Sequence, residues 1–363
     1  MKVLQLVPEL NEGGVERGVI ELNREFVKRG IESVVVSAGG KLVDQVIADG
    51  GNHILFDVCI KNVLTVPPRF LGLRKIFERT SPDIIHARSR VPAWLAYIAN
   101  KKTRIPFVTT VHGFYSVSPY SKVMTYGDKV ICVSSAIKDY VQTYYQVPDS
   151  KIVLIPRGVD LELFNPKQLD NDFINQFKRK FGTEGRFVVT SVGRITQLKD
   201  YATFIRGVMA AKQKIPNICG LVVGGVRKDK KEYFYSLQKL VKELGAEDRI
   251  FFVESQKKIA EVYSLSDVVA ICSKKPESFG RTAAEAIAMN VPVVTTNHGG
   301  VLDLVIPGET GFLFPPENVN SLVEALCLCQ EQSFNKLRDK IENNFSLSKM
   351  VASTLDVYQA LLN

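Results

Sequence analysis

A chain of 363 residues is too long for one comfortable hydrophobic core, so two domains of ordinary size are expected. Its 45% hydrophobic and 23% charged residues exclude a disordered or low-complexity chain, and it has no apolar run of about 18 residues that would make a transmembrane helix. The net charge of +9 is concentrated: from Lys61 to Arg104 there are ten basic residues against only Glu78 and Asp83, an excess of eight.

The start, residues 1–8, reads as a short apolar strand followed at once by a Gly-rich turn. It lacks the length and small-residue exit of a signal peptide, so a cytoplasmic location is expected. Short β-branched runs then alternate with helical patterns, which predicts an α/β chain of parallel sheets wrapped by helices. Strands are expected at 3–7, 33–37, 53–56, 83–86, 107–111, 129–133 and 151–155, and then at 186–192, 220–224, 249–253, 268–272 and 292–295. Within the basic window, Phe70, Leu73, Ile76 and Phe77 at helical spacing predict an amphipathic helix over 69–80, with Arg74, Lys75 and Arg79 elsewhere on its circumference. Such a helix suits an α/β surface and equally the face of an anionic membrane. Nucleic acid is the other polyanion, but Trp94, the only tryptophan, sits in an apolar helical pattern and no binding module is present. Residues 156–166 carry turn residues and a proline at each end, as a domain linker would, which places a hinge near Asn165. The cysteines at 59, 132, 219, 272, 327 and 329 are scattered and read as reduced core residues. Cys327-Leu328-Cys329 has no histidine near it and predicts no metal site.

In parallel sheets ligands bind beyond the carboxyl ends of strands, so the loops there are the places to look. Gly13-Gly14 follows the first strand and lets backbone N–H groups approach a ligand before a helix beginning near Glu16. His112 follows the strand at 107–111; a strand-end histidine is more often structural than catalytic. Gly193-Arg194 follows the strand at 186–192, and Arg194 and Lys199 lie five apart across a strand-to-helix turn. A planar guanidinium and a mobile ammonium together suit a diphosphate, although such a pair alone reads as two solvated charges. Most informative is the stretch 276–289. Glu277 and Glu285 stand eight apart, one before and one inside an Ala-rich helical pattern, with Ser278, Phe279 and Gly280 where the helix should start and offer N–H groups to an anion. Glu285 interrupts a small, apolar face, so something polar must meet it, and a pair of ligand hydroxyls would serve; Glu277 alone reads as an ordinary first-turn acid. No Gly-x-Gly-x-x-Gly follows any strand, which disfavours a nicotinamide or flavin dehydrogenase.

Glu277 and Glu285 resemble the Glu-x7-Glu signature of retaining glycosyltransferases of the GT-B fold, particularly glycosyltransferase family 4 (group 1). The likeness extends over nearly the whole chain. Gly193 to Lys199 is similar to the family's Gly-Arg-x4-Lys element, Gly13-Gly14-Val15-Glu16 to its Gly-Gly-x-Glu loop, and His298-Gly299-Gly300 with Pro307-Gly308-Glu309-Thr310-Gly311 to its last nucleotide-contacting segment. The resemblance implies two facing Rossmann-like doubly wound domains with an interdomain cleft. Residues 1–165 would form the acceptor side, 166–346 would bind the nucleotide sugar, and the helical pattern at 347–363 would pack back on the first domain. It implies that Arg194 and Lys199 grip the diphosphate, Glu285 meets the ribose hydroxyls, Glu277 and His112 face the donor sugar, and the Phe279-Gly280 backbone lies near the phosphates. The linker departs from the family pattern in having Arg157 for the usual asparagine, and Val301-Leu302-Asp303 stands where the family has a glutamate, for which Asp303 would substitute.

The expected activity is transfer of a sugar from a nucleotide-diphosphate sugar to an acceptor hydroxyl, in lipopolysaccharide or another bacterial cell-surface glycan. No cofactor is expected, and no metal, because Arg194, Lys199 and the helix ends can neutralise the charge of the diphosphate. The basic window 61–104 points to a glycan or glycolipid acceptor at the inner face of the cytoplasmic membrane. A sugar-nucleotide epimerase, a glycan phosphorylase and a non-catalytic sugar-nucleotide-binding scaffold are the alternatives on this fold.

Overall fold

The computed structural model describes residues 1–11 and 13–363. Among them the strands form a seven-stranded and a six-stranded sheet, each entirely parallel. Sheets of this kind are covered by crossover helices on both faces, which is why their strands read as near-continuous apolar runs rather than alternating ones. The chain divides into two units, Met1–Gly158 with Leu347–Asn363, and Val159–Ser346. No helix among the described residues is long and apolar enough to cross a membrane.

The first unit holds β1 (Lys2–Leu6), β2 (Glu32–Ser37), β3 (Asn52–Leu55), β4 (Ile84–Ala87), β5 (Phe107–Val111), β6 (Lys129–Cys132) and β7 (Ile152–Leu154) in the order β3-β2-β1-β4-β5-β6-β7. The chain leaves β1 in one direction and resumes on its other side at β4, so the strand order reverses between β1 and β4. The terminal helix Leu347–Leu362 belongs to this unit: Leu347, Val351 and Tyr358 share a core with Val3, Phe26 and Ile84. A polar contact sets its position. The Tyr358 hydroxyl lies 2.5 Å from Nδ1 of His86 on β4, while His86 Nε2 lies 2.7 Å from Thr110 Oγ1 on β5. The expected basic amphipathic helix spans Val66–Thr80 and buries Leu73, Ile76 and Phe77. Two charges of the basic window are not on the surface, however. Arg69 is 7% exposed and faces Asp57 at 3.6 Å, and Arg88 is 4% exposed.

The second unit holds β8 (Phe187–Val192), β9 (Ile218–Val223), β10 (Ile250–Val253), β11 (Val268–Ile271), β12 (Val293–Thr296) and β13 (Gly311–Phe314) in the order β10-β9-β8-β11-β12-β13, reversing between β8 and β11. The strand β13 was not expected from the sequence, because four residues opening on a glycine directly after a Pro-Gly turn show no strand pattern. Tertiary pairing decides it. Gly311 has φ +150° opposite Val293, and a Cβ there would stand 1.8 Å from the Val293 carbonyl oxygen.

The division also falls earlier than the hinge expected near Asn165. The segment after Gly158 is held by the second unit: Val159 N–H donates to Phe345 O at 2.8 Å, and Phe164 is buried with its ring 6.1 Å from that of Tyr263. Arg338, on the helix Leu337–Asn344, donates to the carbonyls of Leu161 (3.0 Å), Phe164 and Ala288 (2.8 Å). One guanidinium thereby satisfies two carbonyls of irregular backbone and one at a helix end, which would otherwise lack donors.

Arg338→Ala is expected to cost about 2 kcal/mol by stranding these carbonyls, seen as a fall in Tm of about 4–8 °C; an unchanged Tm would mean that water replaces the guanidinium without loss. A pH dependence follows from His86. Burial, reinforced by the Arg88 charge, holds its imidazole well below the usual histidine value of 6.5. The unfolded chain binds that proton near 6.5 and the folded one does not, so stability is complete above this pH and declines below it. Guanidinium unfolding should show the decline between about pH 6.5 and pH 5, and a level profile there would mean that the folded ring accepts the proton.

Candidate functional site

The reversal of strand order in the second unit places the exits of β8 and β11 side by side, and two loops meet there. After β8, Gly193 takes φ +152°, and a Cβ on it would stand 3.3 Å from Lys199 Cε and 3.4 Å from Tyr201 Oη. Ile195 and Tyr201 are buried, and the Tyr201 hydroxyl donates to Gly193 O at 2.7 Å, so the turn is fixed from beneath. Asp200 then caps the helix Tyr201–Ala211 through Thr203 Oγ1 (2.6 Å) and N (3.4 Å). The result directs Lys199 at the second loop: its Nζ lies 2.5 Å from Glu277 Oε1. Ser273, just beyond β11, donates its hydroxyl to the same oxygen at 2.6 Å, and among the described residues Oε2 is left without a donor. Burial by itself would raise the Glu277 carboxyl, but Lys199, Ser273 and the nearby His298 outweigh it and hold it below the usual carboxylate value.

The exit of β12 supports this loop. His298 Nε2 and Thr296 Oγ1 meet the Ser273 carbonyl at 2.9 and 3.1 Å, and Gly300 N–H donates to Glu277 O at 2.7 Å. Gly299 (φ +81°) packs so closely that a Cβ would stand 2.5 Å from Glu277 O. His298 thus braces the Glu277 loop. Gly280 (φ +95°) then opens the helix Arg281–Ala288 with no side-chain cap, so its first-turn N–H groups remain available. Ser278 is half-buried and has no hydrogen-bond partner among the described residues. Phe279 is a core side chain, its ring 5.9 Å from that of Phe345, so only its backbone can meet a ligand. Glu285 is 6% exposed and already satisfied by protein: Arg281 Nε donates to Oε1 at 2.8 Å and the Tyr263 hydroxyl to Oε2 at 3.0 Å. The polar partners that its burial calls for are thus supplied by Arg281 and Tyr263, and each oxygen keeps a lone pair for a further donor. Arg194, by contrast, is exposed and has neither ion pair nor hydrogen bond among the described residues. The fold gathers Lys199, Glu277, Ser273 and His298, sets Glu285 with Arg281 and Tyr263 on the next helix, and leaves Arg194 at the rim.

In the first unit, Gly13 is the extended N-cap of the helix Gly14–Lys28, and Glu16 folds its carboxylate back over it, where a Cβ would stand 2.2 Å from Oε2. Space is open at Gly14, whose carbonyl accepts a hydrogen bond from Arg157. His112 follows β5, with Nδ1 3.4 Å from Arg157 Nη1. Burial first, then the charges of Arg88, Arg157 and His86, keep its imidazole neutral, well below the usual histidine range. Ser273, Tyr263 and Arg157 were missed as site residues. The signal for Ser273 was its spacing of four before Glu277 across a Lys-Lys-Pro turn, and that for Arg157 its departure from the linker pattern; nothing in the sequence marked Tyr263.

Two family models match in succession: that described as Glycosyltransferase Family 4 over residues 12–163, and Glycosyl transferases group 1 over residues 172–346. A glycosyltransferase of known structure from Rickettsia africae ESF-5 is 30% identical, with a TM-score of 0.92 over 100% of this chain and 98% of that one. The structure of Anabaena HepE in complex with UDP, 22% identical, has the same fold, with a TM-score of 0.86 over 99% of this chain and 100% of that one. Among curated relatives, the N-acetyl-alpha-D-glucosaminyl L-malate synthase of Bacillus anthracis is 24% identical over 94% of this chain and 92% of its own length. With both models in order along the chain and a 30% identical relative matched from end to end, the protein belongs to the group 1 glycosyltransferases of the GT-B fold and is a sugar-transferring enzyme.

Proposed function

We propose that the protein is a retaining glycosyltransferase that moves a sugar from a nucleotide-diphosphate sugar to an acceptor hydroxyl, in the synthesis of lipopolysaccharide or another cell-surface glycan. The observation that carries this reading is the Lys199–Glu277 pair at the reversal between β8 and β11, beside the uncapped start of the helix Arg281–Ala288. A cation and free helix N–H groups facing one point suit a diphosphate, and the presence of UDP in the HepE structure supports it.

In this reading Arg194 closes over the diphosphate from the rim, Lys199 meets it from beneath, and the backbone of Ser278, Phe279 and Gly280 borders it. Glu285 receives the ribose hydroxyls on its remaining lone pairs. Glu277 orients the donor sugar; in the first unit, the neutral His112 and the Gly13-Gly14 loop are the candidates for ligand contact. As the bond from the anomeric carbon to the diphosphate oxygen breaks, negative charge grows on the leaving group, where these cations and N–H groups stabilise it without a metal ion. The acceptor oxygen bonds to the same face of that carbon, and its proton passes to the departing phosphate oxygen. Because the new bond forms on the face from which the old one leaves, configuration is retained without a protein nucleophile.

The acceptor is assigned to the first unit. There an apolar cavity of about 220 Å³ lies between Ile60, Val66, Val91, Trp94 and Ile98, with Lys61 and Tyr120 also lining it, inside the basic window. Such a cavity beside positive charge suits the lipid part of an anionic, membrane-bound acceptor.

Lys199→Ala should lower kcat by about 10²- to 10³-fold, the loss that follows removal of one transition-state donor, while leaving circular dichroism and Tm close to wild type. Near-normal turnover would sink the diphosphate assignment. In the same assay the product should carry the donor's anomeric configuration by NMR and form at an unchanged rate in EDTA. A thermal-shift screen of UDP, GDP, ADP and CMP should find one nucleotide that raises the wild-type Tm by about 5 °C at a hundred times its Kd, and much less in Glu285→Gln. Equal shifts in both proteins would remove Glu285 from the ribose site, and no shift with any nucleotide would favour a scaffold.

A further inference from the structure

The proposed reaction gives Tyr263 no task, yet its surroundings fix it closely. It lies near the end of the helix Ile259–Ser264 and is wholly buried, with its ring 6.1 Å from that of Phe164 on the segment that Arg338 fastens. A phenylalanine would fill the same space without bringing a hydroxyl that must find a partner once buried. The hydroxyl finds its partner in Glu285, donating to Oε2 at 3.0 Å from a different helix, 22 positions away in sequence. The other oxygen, Oε1, accepts a hydrogen bond at 2.8 Å from Arg281, one turn back on the helix that carries Glu285. Two donors therefore reach the carboxylate from two separate elements, one on each oxygen.

The last torsion of a glutamate side chain is soft, so a carboxylate anchored at one oxygen can still swing about that anchor. The second anchor removes this freedom and fixes the plane. An ionised carboxylate offers lone pairs on both oxygens, and with one taken on each, those that remain have set directions, which suits a pair of neighbouring hydroxyls. Side-chain exposure separates the roles. Glu285 keeps 8% and Arg281 21%, whereas Tyr263 keeps none, so Tyr263 can influence a ligand only through Glu285. We infer that Tyr263 is a positioning residue for nucleotide selection: by locking the Glu285 carboxylate it makes the site discriminate ribose from deoxyribose. A carboxylate free to turn follows whichever hydroxyl is present, so that losing one costs little. A carboxylate held in place cannot adjust, and a missing hydroxyl leaves a buried lone pair unmet. The inference rests on the proposed placement of the ribose hydroxyls at Glu285, and goes beyond it in assigning the discrimination to a residue that the ligand does not touch.

The test uses the full-length protein and reads apparent Kd by thermal shift for UDP, GDP, ADP and CDP, each against its 2′-deoxy counterpart. With the nucleotide that wild type binds best, the ribose form should be favoured about tenfold (about 1.4 kcal/mol). In Tyr263→Phe, which keeps the ring and its packing on Phe164, the preference should fall to about threefold or less, through weaker binding of the ribose form. Glu285→Gln should lose it to the same extent, and the double variant should lose no more than either single one, because both changes act on one carboxylate. Circular dichroism and the unliganded Tm establish that each variant is folded. A merely structural role for Tyr263 would lower Tm and weaken both nucleotide forms alike; an unchanged ratio of that kind in Tyr263→Phe would overturn the inference, as would additive losses in the double variant. If Glu285→Gln alone erased the preference, the ribose placement would stand and Tyr263 would have no part in it. A wild type that binds both forms equally, or none of the four nucleotides, would sink the ribose placement and the inference with it.

Discussion

Parallel strands put all their carboxyl ends on one edge of a sheet, and where the strand order reverses, the two crossovers depart to opposite sides and leave a gap that neither covers. Each unit of this protein has one such gap, between β1 and β4 and between β8 and β11. Loops that enter it are anchored by strands on both sides yet need not pack over their own exits. Residues far apart in sequence, Lys199 and Glu277 in one unit and Gly14 and Arg157 in the other, are brought together by this constraint.

The two gaps solve the problem of buried charge differently. In the second unit charges occur in compensated pairs: Lys199 with Glu277, and Arg281 with Glu285, each carboxylate also receiving a hydroxyl from Ser273 or Tyr263. Such pairs cost little to hold in place before a ligand arrives and keep their groups oriented, which suits a site that must stabilise charge appearing only as the reaction proceeds. In the first unit a guanidinium, Arg88, lies over a buried imidazole, and burial and neighbouring charge depress the basicity of His86 and His112.

Glycines enforce the close approaches on which the second site depends. Gly193 admits the Lys199 stem, Gly299 admits the Glu277 backbone, and both hold φ values that other residues rarely adopt. Their neighbours are the Lys199 and Tyr201 side chains and the backbone of the Glu277 loop, so a side chain at either position would press on the Lys199–Glu277 pair itself.

The sequence by itself determined the class of fold and the address of the site. Apolar runs mark buried parallel strands because both faces of such a sheet are covered, and loops at strand ends carry the motifs because only there is backbone free to meet a ligand. It was legible in those local terms that Arg194, Lys199, Glu277 and Glu285 stand at strand exits or on the helix that follows. Tertiary structure decided what no local pattern encodes: that β13 forms by pairing with β12, that Arg338 fastens 159–165 to the second unit, that Tyr263 meets Glu285, and that Arg69 and Arg88 turn inward from a window that reads as basic surface. One physical reason underlies most of these. Hydrogen bonds and ion pairs between residues tens to hundreds of positions apart depend on which strands become neighbours, and strand order is a property of the assembled sheet.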